Sequence, residues 1–341
     1  MTNSRQVIEE KVIARYKKWA SWTLVTLFTL ILIGGIVRAT GAGMGCPDWP
    51  RCFGSWVPPT DVSQLPDNYK EIYGAKLKGE VEFNPVKTWI EYVNRLFGVF
   101  TGGWIFLTLI ASIPFLKSDR KSIFYLSLSA FLLVGFQGWL GSKVVSTELH
   151  PGMVTLHMLL AIVIVFVLLL SFAKVSIIDQ VKIETFKNGT WLLNAWVLIA
   201  IAISMAQVLL GTQVREDIDL AIVSLGYSGR SSWVESAGIS YLVHRSFSVL
   251  VLISVLGLSY LTKKNAIGSG VIGRLVKAMV GVLIAEILTG IILGYFSVPA
   301  LLQPIHLTLA VLLVSIQFVI YLFLNADRIF KKWSAEGSAR V

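Results

Sequence analysis

Apolar residues in this chain come in long unbroken runs, not once per helical turn and not at alternate positions. Eight runs approach or exceed the roughly 20 residues that a helix needs to cross a bilayer core. They cover about 19–39, 89–116, 122–145, 151–174, 190–214, 237–262, 272–296 and 299–326. Trp19 to Val37 holds no charge, and Met153 to Ala173 holds one ionisable residue, His157. Barrel strands would alternate over about ten residues, so the pattern predicts an all-α integral membrane protein with eight transmembrane helices. The first run is too long for a cleaved signal peptide, and seven more follow it.

The chain also repeats itself. Gly34-Gly35-Ile36-Val37-Arg38 matches Gly211-Thr212-Gln213-Val214-Arg215, and Asn94-Arg95-Leu96-Phe97 matches His244-Arg245-Ser246-Phe247. Gly141, His157 and Ala161 match Gly290, His306 and Ala310 without a gap. The expectation is two tandem four-helix bundles. With an even number of spans per unit, both enter from the same side, related by a pseudo-two-fold along the membrane normal. The division is a segment 1–18, a first bundle 19–174 with an outer loop 40–88, a linker 175–189, a second bundle 190–326 and a tail 327–341. The first unit is about 27 residues longer before its second helix, in the loop that holds Cys46 and Cys52.

Composition agrees with this picture. Hydrophobic residues are 55% and charged residues 15%, against about 25% charged in soluble domains. A water-soluble enzyme and a disordered chain are both excluded. The net charge of +10 reflects basic loops on one side, not a nucleic-acid surface. Lys117, Arg120 and Lys121, then Lys174, Lys182 and Lys187, then Lys263, Lys264, Arg274 and Lys277 occupy one set of loops. Arg5, Lys11, Arg15, Lys17 and Lys18 precede the first span, and Arg328, Lys331, Lys332 and Arg340 follow the last. The opposite loops carry Asp48, Asp61, Asp67, Glu71, Glu80 and Glu82, and Glu216, Asp217 and Asp219. By the positive-inside rule both termini are cytoplasmic and the cysteine loop is outside.

Few residues can carry chemistry. Of four histidines, His157, His244 and His306 lie near the outer ends of spans four, six and eight, and His150 lies in a loop. A histidine in a membrane bundle is a metal or haem ligand, a proton relay or a helix-to-helix hydrogen bond. The matched depth of His244 and His306 in one bundle suits axial clamping of a haem iron. In the first unit Asn94 stands where His244 would be matched, leaving His157 as its one strong ligand. Glu91 shares a helix face with Asn94 and is either a carboxylate facing water or an acid, base or cation stabiliser. Glu286 is deep in span seven, with Gln137 as its counterpart. Arg38, Arg95, Arg215 and Arg245 sit at outer span ends, where they either reach lipid phosphates or hold haem propionates in two-pronged hydrogen bonds. Two cysteines are too few for a disulfide scaffold or a zinc ribbon. Cys46 and Cys52, outside, can form a disulfide; the short loop is expected to leave it exposed and reducible, the alternative being a purely structural staple.

Specific strings resemble the haem A synthase family: Gly35-Ile-Val-Arg38-Ala-Thr-Gly-Ala-Gly-Met-Gly-Cys46-Pro-Asp-Trp-Pro-Arg-Cys52, Glu91-Tyr-Val-Asn94-Arg95, Val154-Thr-Leu-His157, His244-Arg245 and Pro304-Ile-His306. The resemblance covers all eight spans. It implies two bundles, haem B between His244 and His306 in the second, and haem O as substrate in the first, beside an essential carboxylate at Glu91. The implied reaction is successive hydroxylation of the haem O C8 methyl to a formyl group, with haem A passed to cytochrome oxidase assembly. A haem O synthase (a farnesyltransferase) would supply the substrate in the bacterial cytoplasmic membrane. An electron donor, which the sequence does not name, is also required, and a homo-oligomer is compatible with the family. Two features depart from it: Asn94 replaces a usual histidine, and a second cysteine pair found in many bacterial members is missing. The competing readings are a di-haem electron carrier that leaves haem unmodified and a haem or small-molecule transporter.

Overall fold

The computed structural model describes residues 2–74, 82–180, 190–265 and 270–326, with Ile329. Glu80, Lys182, Lys187, Arg328, Lys331, Lys332 and Arg340, and with them most of the linker and the tail, lie outside the described residues. Eight long helices are α1 (Thr2–Ala39), α2 (Pro85–Ser112), α3 (Lys121–Ser146), α4 (Pro151–Gln180), α5 (Thr190–Leu225), α6 (Gly238–Lys264), α7 (Val271–Tyr295) and α8 (Leu302–Leu324). Each is long and apolar enough to cross a membrane, and no strand occurs among the described residues.

Two helices run beyond their apolar cores. α1 begins at Thr2, so the segment before Trp19 is the first half of the same helix. Ile13, Tyr16 and Ala20 recur at helical spacing and are buried, packed with Phe115, Ile123 and Val175. The Tyr16 hydroxyl is hydrogen-bonded to Ser127 on α3 (2.9 Å) and Ser171 on α4 (2.5 Å). α5 runs to Leu225, which puts Asp217 and Asp219 on a helix. Nothing between Arg215 and Leu225 breaks a helix, and Ile218 and Ala221 bury against Trp233, Ala237 and Val298. Gly226 ends it with a left-handed φ of 67° and an N–H bonded to the Ile222 carbonyl at 3.0 Å, the usual glycine stop. α2 starts where Asn84 accepts a hydrogen bond from the Lys87 N–H (3.1 Å) with Pro85 in the first turn, a standard cap.

Within each half the helices touch in cyclic order. α1 meets α2, α2 meets α3, α3 meets α4 and α4 meets α1; α5 to α8 close a second ring in the same way. The halves meet where α8 lies against α1 and α4, and where α4 touches α5. Side-chain contacts between the halves fit a two-fold relation. Gly35 on α1 backs onto Pro304 on α8, and a Cβ at Gly35 would come within 2.7 Å of the proline. The matched residues, Thr212 on α5 and Thr155 on α4, are hydrogen-bonded at 3.4 Å. Backbone geometry repeats too. Glu148 and Leu149, between α3 and α4, take φ of 53° and 61°, and their counterparts Ser297 and Val298 take 56° and 53°. Two consecutive left-handed residues without glycine are uncommon. Their recurrence at matched positions means that the tight reversal into the histidine-bearing helix belongs to the unit. In the second unit this turn is pinned by Arg230, whose guanidinium donates to the Ser297 and Val298 carbonyls at 2.8 and 2.7 Å.

Candidate functional site

Each unit places a glycine opposite each candidate ligand. A Cβ at Gly34 on α1 would lie 3.9 Å from Asn94 Oδ1 on α2, and one at Gly141 on α3 would lie 3.4 Å from His157 Cε1 on α4. In the second unit Gly211 on α5 faces His244 on α6 at 3.2 Å, and Gly290 on α7 faces His306 on α8 at 3.3 Å. Small residues let a facing ring lie against a neighbouring backbone. The glycines therefore let each imidazole pack closely against the backbone of the neighbouring helix. A residue four before each glycine adds a brace in three of the four cases. Gln137 donates to the His157 carbonyl (2.8 Å), Gln207 donates to the His244 carbonyl (3.0 Å), and Glu286 approaches His306 Nδ1 at 3.4 Å. Gln207 escapes sequence reading, because an amide in an apolar helix has no signature until the glycine register is known.

His244 and His306 face each other with ring centres 6.4 Å apart and planes at 74°. A metal held between two imidazoles at the usual nitrogen–metal distance of about 2.0–2.1 Å puts the ring centres roughly 6.3 Å apart. No group of three or more His, Cys, Asp or Glu able to hold a metal ion is found among the described residues. Two opposed imidazoles suit an iron whose other four bonds come from a porphyrin. Buried polar atoms without a hydrogen-bond partner cluster at both sites: Asn94 Oδ1, His157 Nδ1 and Gln137 Oε1 in the first unit, His244 Nδ1 and Gln207 Oε1 in the second. Since buried polar groups are normally satisfied, these residues fit a bound group. His150 lies exposed on the turn before α4, where its carbonyl accepts from the Met153 and Val154 N–H groups.

The cysteine loop differs from expectation. Cys46 and Cys52 form a disulfide with a Cα separation of 4.8 Å, and both are fully buried where an exposed bridge was expected. Phe53, Leu65 and Tyr69 pack on the bridge, with Tyr73, Phe83 and Tyr92 alongside, so the loop folds into a small core of its own. Asp48 caps the turn by accepting from the Phe53 and Gly54 N–H groups at 2.6 and 2.8 Å.

The loop docks on α2 through Glu91 and Arg95. Glu91 is buried, ruling out the water-facing reading; its Oε2 accepts the Cys46 N–H at 2.6 Å and its Oε1 pairs with Arg95. Arg95 also donates to the carbonyls of Cys46 (2.8 Å), Asp48 (2.7 Å) and Arg51 (3.0 Å). All five guanidinium N–H groups are thereby used, and Arg95 has none left for a propionate. That corrects the sequence expectation, and the cause is the loop peculiar to the first unit. Its counterpart Arg245 has no such loop over it. Arg245 is exposed, its guanidinium lies over the Tyr241 ring at 5.8 Å, and that guanidinium makes no hydrogen bond or ion pair among the described residues.

Arg38 and Arg215 also find protein partners. Arg38 Nη2 donates to Asp219 Oδ2 at 2.9 Å, Arg215 Nη2 lies 2.6 Å from Asp219 Oδ1, and Arg215 donates to the Arg38 carbonyl at 3.1 Å. Asp219 thus joins the two halves, a role visible only once α5 extends to carry it. Arg215 Nε remains buried without a hydrogen-bond partner.

The model of a family described as cytochrome oxidase assembly protein (COX15-CtaA) matches residues 17–318. The chain belongs to this family. Among relatives, a heme A synthase of Rickettsia akari (strain Hartford) is 25% identical over 348 residues, covering 91% of this chain and 98% of that one. A heme A synthase of Shewanella oneidensis is 30% identical over 189 residues, covering 55% of this chain and 53% of that protein. One of Pelagibacter ubique is 31% identical over 216 residues, covering 58% and 60%. The first of these similarities runs nearly end to end, while the other two span only a little over half of each relative. The COX15-CtaA match takes in both units, with every candidate residue from Arg38 to His306.

Proposed function

We propose that this chain is a haem A synthase, a membrane oxidoreductase that oxidises the C8 methyl of haem O to a formyl group and yields haem A for cytochrome oxidase assembly. One observation supports it above the others: the two matched sites are chemically unequal. The second has two opposed imidazoles, and the first has one imidazole and, at the position matched to the other, an amide three residues from a buried carboxylate. An electron carrier that leaves haem unmodified would want two strong ligands at each site. A transporter would want broken spans with polar groups at mid-depth, whereas the described spans bearing these residues are continuous helices.

In this reading the first bundle is the substrate domain and the second the haem B domain. Both termini are cytoplasmic, and the cysteine loop lies outside the bacterial inner membrane. His244 and His306 hold haem B, with Arg245 as the cation for a propionate; when bound, haem B supplies one-electron chemistry. His157 holds haem O, delivered by a haem O synthase. Glu91 has both oxygens engaged by donors, so it serves as a fixed negative charge beside the substrate and not as a mobile proton relay. It stabilises positive charge that develops as the methyl is oxidised. Arg95 and the Cys46–Cys52 loop keep it in place.

Haem extracted from the purified protein should contain haem O and haem A beside haem B. Haem B alone would favour the electron carrier. The substitution at position 94 predicts more. With His157 as the one strong donor, substrate iron should be high-spin. Asn94→His should convert it to low-spin and slow turnover or release, while Asn94→Ala should leave ligation nearly unchanged. Electron paramagnetic resonance of the three proteins reads this directly. A low-spin wild-type signal that survives Asn94→Ala would show that another residue, His150 first, completes the coordination.

A further inference from the structure

Resting on the reading that His306 holds haem B, we propose that Thr289 is a positioning residue that fixes the His306 proton on Nδ1 and leaves Nε2 free for iron. Thr289 precedes Gly290, the glycine that His306 packs against, and its Oγ1 lies 2.9 Å from His306 Nδ1. A threonine hydroxyl has one hydrogen to give and two lone pairs to accept with. That hydrogen is engaged by the helix itself, since Oγ1 lies 2.9 Å from the Ala285 carbonyl and 3.0 Å from that of Glu286. Only lone pairs then face the ring, so the shared hydrogen must come from Nδ1. A neutral imidazole carries one N–H, and the metal-binding lone pair is left on Nε2.

A second observation points the same way. Glu286 Oε2 is buried without a hydrogen bond and lies 3.4 Å from the same Nδ1, a further acceptor facing that atom. Neither feature recurs at the other sites. The residues matched to Thr289 are Ile33, Leu140 and Leu210, none able to accept a hydrogen bond, and Nδ1 of His157 and of His244 is buried without a partner. His306 is therefore the one candidate haem ligand whose Nδ1 meets a side-chain acceptor of the neighbouring helix; at His244 it is Nε2 that meets a side chain, the Gln207 amide nitrogen at 3.5 Å.

The test uses the full-length protein purified with haem B and challenged with an excess of a haem-scavenging protein. Losing an outer partner of a metal-ligating histidine typically costs about 10–100-fold in affinity. Thr289→Val, similar in size but without the hydroxyl, should lose haem B about tenfold faster or more and show an altered low-spin spectrum. Thr289→Ser, which keeps the hydroxyl, should stay near wild type. Wild-type behaviour of Thr289→Val, or equal loss in Val and Ser, would overturn the proposal. His306→Ala separates the two levels. If it keeps the low-spin signal, the ligand assignment itself fails. If it loses the signal while Thr289→Val is unaffected, only the role of Thr289 fails.

Discussion

His244→Ala and His306→Ala are each expected to abolish the low-spin haem B spectrum while the protein still inserts into the membrane. A low-spin iron needs two strong axial donors, and the structure offers two at this site. Their ring centres stand 6.4 Å apart, close to the roughly 6.3 Å that two metal–imidazole bonds of ordinary length require. Removing either leaves one donor, so the haem becomes high-spin or is lost. Insertion is a separate property, since it rests on apolar spans that one histidine barely alters. His150→Ala serves as the control and should leave the spectrum unchanged. An undisturbed low-spin signal in both single variants would remove the assignment.

Glu91→Gln should leave haem binding intact and reduce haem A formation by about a hundredfold or more, with haem O accumulating. The amide keeps the shape, and its oxygen can still accept the Cys46 N–H while Arg95 keeps its bonds to the Cys46, Asp48 and Arg51 carbonyls, so the loop stays docked. What goes is the negative charge and, because an amide NH2 cannot accept, its pair with Arg95. Stabilising charge that develops in a water-poor site is worth a few kcal/mol, and about 1.4 kcal/mol is a factor of ten in rate. Near-normal haem A production in this variant would refute the role. Haem loss from the first site would instead make Glu91 structural, through the Arg95 pair.

The eight spans were legible because unbroken apolar runs of that length suit a bilayer core and little else. The twofold organisation was legible because glycine–histidine spacing survived in both halves. The same spacing marked the candidate ligand positions, since a glycine suits a place where a ring packs against a helix backbone. The helix extensions were hidden, because residues 2–18 and 215–225 are polar enough to pass for loops, and residues 9–18 and 215–225 bury only a narrow face. The fate of Arg95 was hidden for another reason. Its acceptors are loop carbonyls, and a carbonyl's direction is written in the fold and not in residue type. Burial of Cys46 and Cys52 escaped likewise, since it depends on Leu65 and Tyr69 returning across the bridge. Asp219 read as one of several outer acids until α5 carried it between Arg38 and Arg215. Thr289 looks like any threonine in an apolar helix until its hydroxyl is found between its own backbone and His306.

The most direct measurement is conversion itself. This chain is expressed in a bacterial host that makes haem O through a haem O synthase but has no haem A synthase of its own, and membrane haems are separated by chromatography and weighed by mass spectrometry. The account predicts that haem A appears only when the chain is present and that haem O falls in step. Haem O unchanged and haem A absent, in membranes where the protein is inserted and carries haem B, would contradict it.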